Sequence, residues 1–148
     1  MRSRVQGVHD RYLIEIIAEE KVISPECGFL EDGREELLGM WEGTYYNVDG
    51  INGAHLEIFK NGDDVWGIFS FFPVEGSTEG QRAGSYIVNV EYEESTQNFY
   101  IFGEEWIDQP GNWNFVNLRG KINGETFSGN IGFSEGVWSD YIFQMSRR

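Results

Sequence analysis

The spacing of apolar side chains changes at Gly39, and this change divides the chain into two parts. Between residues 12 and 17, apolar side chains recur three and four positions apart, with glutamates around them and no Gly or Pro. This spacing predicts an amphipathic helix, although the run Leu-Ile-Glu-Ile-Ile at 13–17 also fits an edge strand. Ser24–Gly28 carries a Pro and a Gly and breaks this element, and Arg34–Leu38 predicts a short helical turn.

From Gly39 onward, apolar and polar residues alternate, which is typical of half-buried β-strands. Asn61-Gly62 and Asn123-Gly124 are dipeptides of the kind that favours two-residue hairpin turns. Each alternating run is bounded by Gly, Asn, Asp or Pro, as strands in a meander are. The predicted strands are Met40–Asn47, Ala54–Lys60, Val65–Phe72, Gly84–Tyr92, Asn98–Phe102, Trp113–Ile122, Thr126–Phe133 and Val137–Met145.

The connections between these strands are mostly short, and short connections join antiparallel neighbours. A meander of eight twisted strands leaves two exposed edges unless it closes, and closure at eight strands is common. The sequence therefore predicts a mainly β protein, an antiparallel barrel of roughly eight strands at residues 39–148. Residues 1–38 are predicted to be an N-terminal helix and linker packed on it. A sandwich is the alternative architecture.

The two ends of the predicted barrel carry a family resemblance. Gly39-Met40-Trp41 opens the first strand after a helical turn, and Arg147-Arg148 ends the last. This arrangement resembles the short Gly-x-Trp barrels of the lipocalin-like (calycin) group. The resemblance implies that Trp41 closes one end of the barrel and that Arg147 or Arg148 stacks across its ring. Avidin-like barrels share the strand count and a similar opening, and they remain an alternative.

Charge narrows the range of partners. The formal net charge is −14, and acids outnumber bases on both sides of Gly39. So negative a surface repels phosphate backbones and anionic membranes, which predicts no direct nucleic-acid or membrane binding. It fits either solubility or a basic protein partner. Glutamates interrupt the apolar N-terminal run, no stretch has the length of a membrane span, and Cys27 is the single cysteine, so we expect a cytoplasmic protein.

The chain offers little for catalysis or metal binding. His9 and His55 lie in different segments, and Cys27 has no second thiol at ligand spacing. Asn61–Asp64 lacks the alternating acids and the terminal Glu of a calcium loop. We therefore predict no catalytic residue, no metal site, no cofactor and no enzymatic activity.

A binding module is the predicted function. In the favoured hypothesis, a small neutral or cationic, partly apolar ligand enters the barrel. Face assignment from strand alternation gives the lining residues, and a slip of one residue would reverse a strand's contribution. A barrel of this size can also be filled by its own side chains. The predicted lining residues are Tyr45, Leu56, Ile58, Phe69, Tyr86 and Phe115.

Two further hypotheses use the outside of the protein. An acidic inhibitor or adaptor would occupy a basic surface of another protein, as immunity proteins and phage anti-defence proteins do. A carbohydrate would bind a long connection between residues 103 and 113, rich in Trp, acids and amides. The candidate residues for a partner or sugar there are Glu104, Glu105, Trp106, Asp108 and Trp113.

The strand at Val65–Phe72 is apolar on both faces, so its outer face needs a cover. The predicted helix around Leu13, Ile16 and Ile17 is the expected cover, and a partner surface is the alternative. The sequence leaves open the identity of the ligand or partner, the oligomeric state and the biological pathway.

Overall fold

The computed structural model describes residues 33–75, 82–134 and 136–148. The predicted N-terminal helix, together with His9 and Cys27, lies outside these residues. No helix among the described residues has the length and apolar character needed to cross a membrane.

Eight antiparallel strands form a closed barrel in which each strand pairs with its neighbours in sequence and the last pairs with the first. This confirms the predicted fold class. A 3₁₀ helix, Gly33–Leu37, precedes the barrel where a helical turn was predicted. The strands are β1 (Gly39–Asn47), β2 (Gly50–Asn61), β3 (Asp64–Phe72), β4 (Gly84–Glu93), β5 (Asn98–Asp108), β6 (Asn117–Asn123), β7 (Thr126–Ser134) and β8 (Val137–Arg147).

The barrel closes along the seam between β1 and β8. The register of this seam runs from Trp41 opposite Arg147 to Tyr45 opposite Phe143. Gly43 lies in the middle of the seam, opposite Met145. A Cβ atom there would come within 2.7 Å of the Met145 Cα atom and would also meet the Gln144 carbonyl oxygen. Closure therefore depends on the absence of a side chain at this position.

The predicted boundary between the fifth and sixth strands is wrong. β5 does not end at Phe102 but continues to Asp108, and β6 begins at Asn117 rather than Trp113. The connection between them is residues 109–116, so Phe115 lies in a loop and not on a strand. The pairing of β5 with β4 shifts register between Ile87 and Val88, which indicates a β-bulge. A bulge interrupts the alternation on which the prediction depended.

Aromatic side chains reach across the inside of the barrel. Tyr45 on β1 lies 5.9 Å from Phe69 on β3, measured between ring centroids. Phe127 on β7 lies 5.8 Å from the Trp41 ring on β1 and 6.0 Å from Phe99 on β5. Because none of these pairs joins neighbouring strands, the contacts span the barrel interior. Each fully buried large apolar side chain contributes about 1.5–3 kcal/mol of transfer free energy.

The 3₁₀ helix covers the end of the barrel where β1 begins and β8 ends. Leu37 is fully buried in the core, and the Trp41 indole N–H donates to its carbonyl oxygen at 2.9 Å. Glu35 pairs with Lys60 of β2 at 2.7 Å. We call this end the 3₁₀ end.

Candidate functional site

Five of the six predicted lining residues lie in the barrel core. Tyr45, Leu56, Ile58, Phe69 and Tyr86 are all buried in one apolar cluster. Phe115 is half-buried and packs against that cluster from the 109–116 loop, with its ring 4.9 Å from Tyr86. The structure thus brings the aromatic members together, since Tyr86 also lies 5.4 Å from Phe69. Binding of a ligand among them stays a prediction.

Two polar groups in this cluster differ in how their hydrogen bonds are satisfied. The Tyr86 hydroxyl donates to the Val116 carbonyl oxygen at 2.6 Å and accepts from the Val116 amide at 3.0 Å. The Tyr45 hydroxyl is buried and has no hydrogen-bond partner in the part of the chain that the structure describes. Burial raises the pKa of both phenols, and the two rings are close enough for Tyr45 to add to the shift at Tyr86.

Asn52 is a buried polar residue that the sequence analysis missed. It is fully buried on β2 directly opposite Tyr45, and its amide nitrogen donates to the Gly50 carbonyl oxygen at 3.3 Å. Its side-chain carbonyl oxygen has no partner among the described residues. The predicted second strand began at Ala54, so the inward position of Asn52 was not considered. Extending the alternation back two residues would have placed it in the interior.

Both tryptophans of the predicted sugar site turn towards the barrel. Trp106 lies on β5, 4.9 Å from the Tyr86 ring and stacked at 5.1 Å on Phe115. Trp113 stacks on Phe71 at 5.3 Å with nearly parallel planes. One face of each indole is therefore in contact with another aromatic ring of the protein.

The three predicted carboxylates do not join the indoles. Glu104 and Asp108 are exposed, and Glu105 is half-buried opposite Ile87 on the neighbouring strand. The structure therefore separates the predicted partner or sugar site into inward indoles and outward acids. Carbohydrate binding here stays a prediction.

The Arg147 guanidinium lies 4.2 Å from the centroid of the Trp41 ring, so it is Arg147 of the two candidate arginines that stacks there. It also donates to the carbonyl oxygens of Leu38 at 2.7 Å and Glu36 at 2.8 Å, which ties β8 to the 3₁₀ helix. Arg148 instead forms an exposed ion pair with Glu42. These contacts complete the 3₁₀ end.

Exposed apolar side chains collect at the opposite end of the barrel. We call this the loop end; it comprises the turns and connections after β1, β3, β5 and β7 with the adjoining halves of the strands. Of the nine large apolar side chains exposed among the described residues, only Met40 lies at the 3₁₀ end. The eight at the loop end are Tyr46, Val48, Phe72, Ile107, Phe133, Val137, Tyr141 and Ile142.

The loop end is also acidic. Within the described residues at 44–55, 69–75, 82–88, 103–119, 130–134 and 136–142, the sequence has six carboxylates and two Lys or Arg side chains, Arg82 and Arg119. The carboxylates are Asp49, Glu75, Glu104, Glu105, Asp108 and Asp140. At the 3₁₀ end, Lys60 forms an ion pair with Glu35, and Arg147 donates hydrogen bonds to the 3₁₀ helix and the residue that follows it.

A polar groove of about 650 Å³ crosses the outer side of β6 and β7. Arg119 and Lys121 line it together with the side chains of Asn98, Ser128 and Asn130. Arg119 also lies 4.9 Å over the ring of Trp138, which crosses the outside of β7 at Gly132. This groove is not recognisable in the sequence, because its residues come from three strands and share no local motif.

No group of three or more His, Cys, Asp or Glu side chains among residues 33–75, 82–134 and 136–148 is placed to hold a metal ion. Comparison with protein-family models, with curated proteins and with solved structures found no match. The barrel itself is compatible with the calycin-like fold that Gly39-Met40-Trp41 implied.

Proposed function

We propose that this protein is a non-enzymatic binding module that holds a basic, partly apolar surface of another protein against its loop end. The observation that carries this proposal is the collection of eight exposed large apolar side chains at one end of the barrel. Soluble monomers rarely expose apolar groups in such a collection unless the surface binds something.

The charge at the loop end determines the kind of partner. Six carboxylates and two arginines lie in the described part of the loop end, within a chain of net charge −14. Such a surface attracts a basic partner over a distance and rejects acidic ones, while the apolar groups supply contact area. This charge supports the hypothesis of an acidic inhibitor or adaptor.

The contents of the barrel favour the outside over the inside as the binding surface. Contacts such as Tyr45–Phe69 and Trp41–Phe127 bridge strands that are not neighbours, and they place aromatic rings where a ligand would lie. Such a ligand would have to displace well-packed rings, at a cost of several kcal/mol. A partner at the loop end requires no such rearrangement.

Native mass spectrometry of the protein isolated from its source at low ionic strength tests the proposal. We expect a complex with a basic protein that dissociates as salt is added, because screening weakens the attraction between exposed charges. The double variant Ile107→Ser, Asp108→Lys changes one apolar group and one charge at the loop end and should lose the complex.

The matched control is Met40→Ser, Glu91→Lys, which makes the same two changes on exposed residues near the 3₁₀ end. It should retain the complex. Loss of the partner in the control but not in the loop-end variant would contradict the proposal. A complex that survives in both variants would also contradict it.

One observation favours a second candidate, a small ligand with a polar head inside the barrel. Within residues 33–75, 82–134 and 136–148, the buried Tyr45 hydroxyl and the buried Asn52 side-chain oxygen have no hydrogen-bond partner, and the two residues face each other across β1 and β2. The same mass spectra test it through a mass increment of a few hundred daltons that Tyr45→Phe abolishes. A spectrum showing the bare chain mass would exclude this candidate.

A further inference from the structure

Two large apolar side chains on the outer wall of the barrel are buried. Trp66 alternates with Val65 and Gly67 on β3, and Ile87 lies between Tyr86 and Val88 on β4. Val65, Tyr86 and Val88 belong to the core cluster inside the barrel, so strand alternation directs Trp66 and Ile87 outward. They are nevertheless only 1% and 0% exposed. An outward side chain on a barrel wall is excluded from water only when something covers it.

Strand register places these residues in one patch. Phe59 is opposite Trp66 across β2 and β3, with ring centroids 4.8 Å apart. Ile68 is opposite Ile87 across β3 and β4 and follows Trp66 on the same outer face. We call Phe59, Trp66, Ile68 and Ile87 the outer-wall patch. Phe59 and Trp66 each make interactions in addition to their mutual ring contact.

Composition limits which part of the chain can cover this patch. Residues 76–81 read Gly-Ser-Thr-Glu-Gly-Gln and residue 135 is Glu, so neither supplies a large apolar side chain. Residues 1–32 contain such side chains in quantity, most densely at 12–17. Of the chain outside the described residues, this segment alone matches the apolar character of the patch.

The first described residues of the chain lie near the patch. Gly33 packs against the Tyr92 ring, and the Arg34 guanidinium donates to the Asp63 carbonyl oxygen at 2.9 Å. Asp63 precedes Trp66 by three residues, which is about 10 Å along a strand. A segment that ends at Gly33 therefore ends beside the patch.

We propose that residues 1–32 cover the outer-wall patch of the same molecule, with the apolar side chains at 12–17 packed against Trp66 and Ile87. The patch is then an intramolecular interface on the side of the barrel, separate from the loop end, and the proposal does not depend on the function proposed above. A second copy of the chain is the competing occupant.

Photo-crosslinking in the full-length chain distinguishes the two occupants. p-Benzoylphenylalanine replaces Ile68, which is half-buried within the patch, and after irradiation the cross-linked peptides are mapped by mass spectrometry. We expect cross-links to residues 1–32 in a product of monomer mass. The same group at Gln144, an exposed position on β8, is the control and should give none to that segment.

A product of twice the monomer mass, or cross-links from position 68 that avoid residues 1–32, would overturn the proposal. A second measurement uses 5-fluorotryptophan, with the Trp66 resonance assigned by Trp66→Phe. In Leu13→Asp, Ile17→Asp, the solvent isotope shift of Trp66 should grow while that of Trp41, buried inside the barrel, stays unchanged. If the solvent isotope shift of Trp66 stays the same in that variant, this result would also overturn the proposal.

Discussion

The two buried tyrosines provide a comparison at the scale of single atoms. The Tyr86 hydroxyl bonds to both the amide and the carbonyl of Val116, whereas no described residue forms a hydrogen bond with the Tyr45 hydroxyl. Tyr86→Phe should lower the free energy of unfolding by about 1–3 kcal/mol, since it leaves two buried backbone groups unsatisfied. Tyr45→Phe removes an unsatisfied hydroxyl and should raise the free energy of unfolding by about 1 kcal/mol. Urea denaturation of both variants measures the difference, and equal losses would contradict the structure.

The same residues predict how stability depends on pH. Burial raises the pKa of Tyr45 and Tyr86 in the folded protein, so both phenols keep their protons when an unfolded tyrosine would lose its own near pH 10. Their contribution is complete below about pH 10 and is lost as the pH rises above that value. Tyr45→Phe should make this alkaline loss shallower in denaturation curves measured between neutral pH and pH 11. A loss in Tyr45→Phe as steep as that of the original protein would contradict the burial of this phenol.

Arg147 and Arg148 are adjacent arginines with different surroundings. Arg147→Ala loses the contact with the Trp41 ring and two hydrogen bonds to the 3₁₀ helix, so we expect a loss of about 2–3 kcal/mol. Arg148→Ala loses an exposed ion pair with Glu42, worth at most about 1 kcal/mol. Thermal denaturation of the two variants measures both effects. Similar values would show that Arg147 does not hold the 3₁₀ end together.

At the residue scale, the role of a side chain is predictable from the sequence when it depends on residues that are adjacent in the chain. Trp41 is identifiable because it follows a glycine and a helical turn. Asn52 is missed because the predicted second strand begins at Ala54, whereas β2 begins at Gly50 and its alternation directs Asn52 inward. The outward direction of Glu104 and Asp108 likewise depends on β5 continuing beyond Phe102.

At the element scale, the β1–β8 seam is the feature on which closure depends. Gly43→Ala should lower the free energy of unfolding by several kcal/mol, because the new methyl group would meet the Gln144 carbonyl oxygen and the Met145 backbone. The same variant should accelerate hydrogen exchange at the backbone amides of β8. Thr44→Ala, the next position on the same strand, is half-buried and serves as the control. Unchanged exchange in Gly43→Ala would contradict the close approach of the two strands.

Element boundaries show where alternation stops being informative. Strand existence and order were predictable for all eight strands, since each has its own alternating run and turn residues. The end of β5 was not, because the shift in its pairing with β4 places the successive residues Glu104, Glu105 and Trp106 out of simple alternation. The start of β6 was predicted too early because Trp113 and Phe115 alternate like strand residues. In the structure they pack inward from a loop.

At the scale of the whole molecule, net charge predicts a response to salt. A chain of net charge −14 repels itself in the compact state, and mobile counterions weaken that repulsion. The midpoint of thermal unfolding should therefore rise between about 20 mM and 200 mM sodium chloride, a range over which the Debye length falls several-fold. A midpoint that falls over this range would show that attractive ion pairs outweigh the net repulsion.

We infer that the partner binds at the loop end and not inside the barrel. Hydrogen–deuterium exchange can be compared between the complex isolated from its source and the same chain after salt has removed the partner. We expect protection in the β1–β2 and β7–β8 turns and in residues 109–116, with no change at residues 56–61 of β2 and 64–68 of β3, which lie away from the loop end. Protection confined to those residues of β2 and β3, or to the 3₁₀ helix, would contradict this placement of the partner.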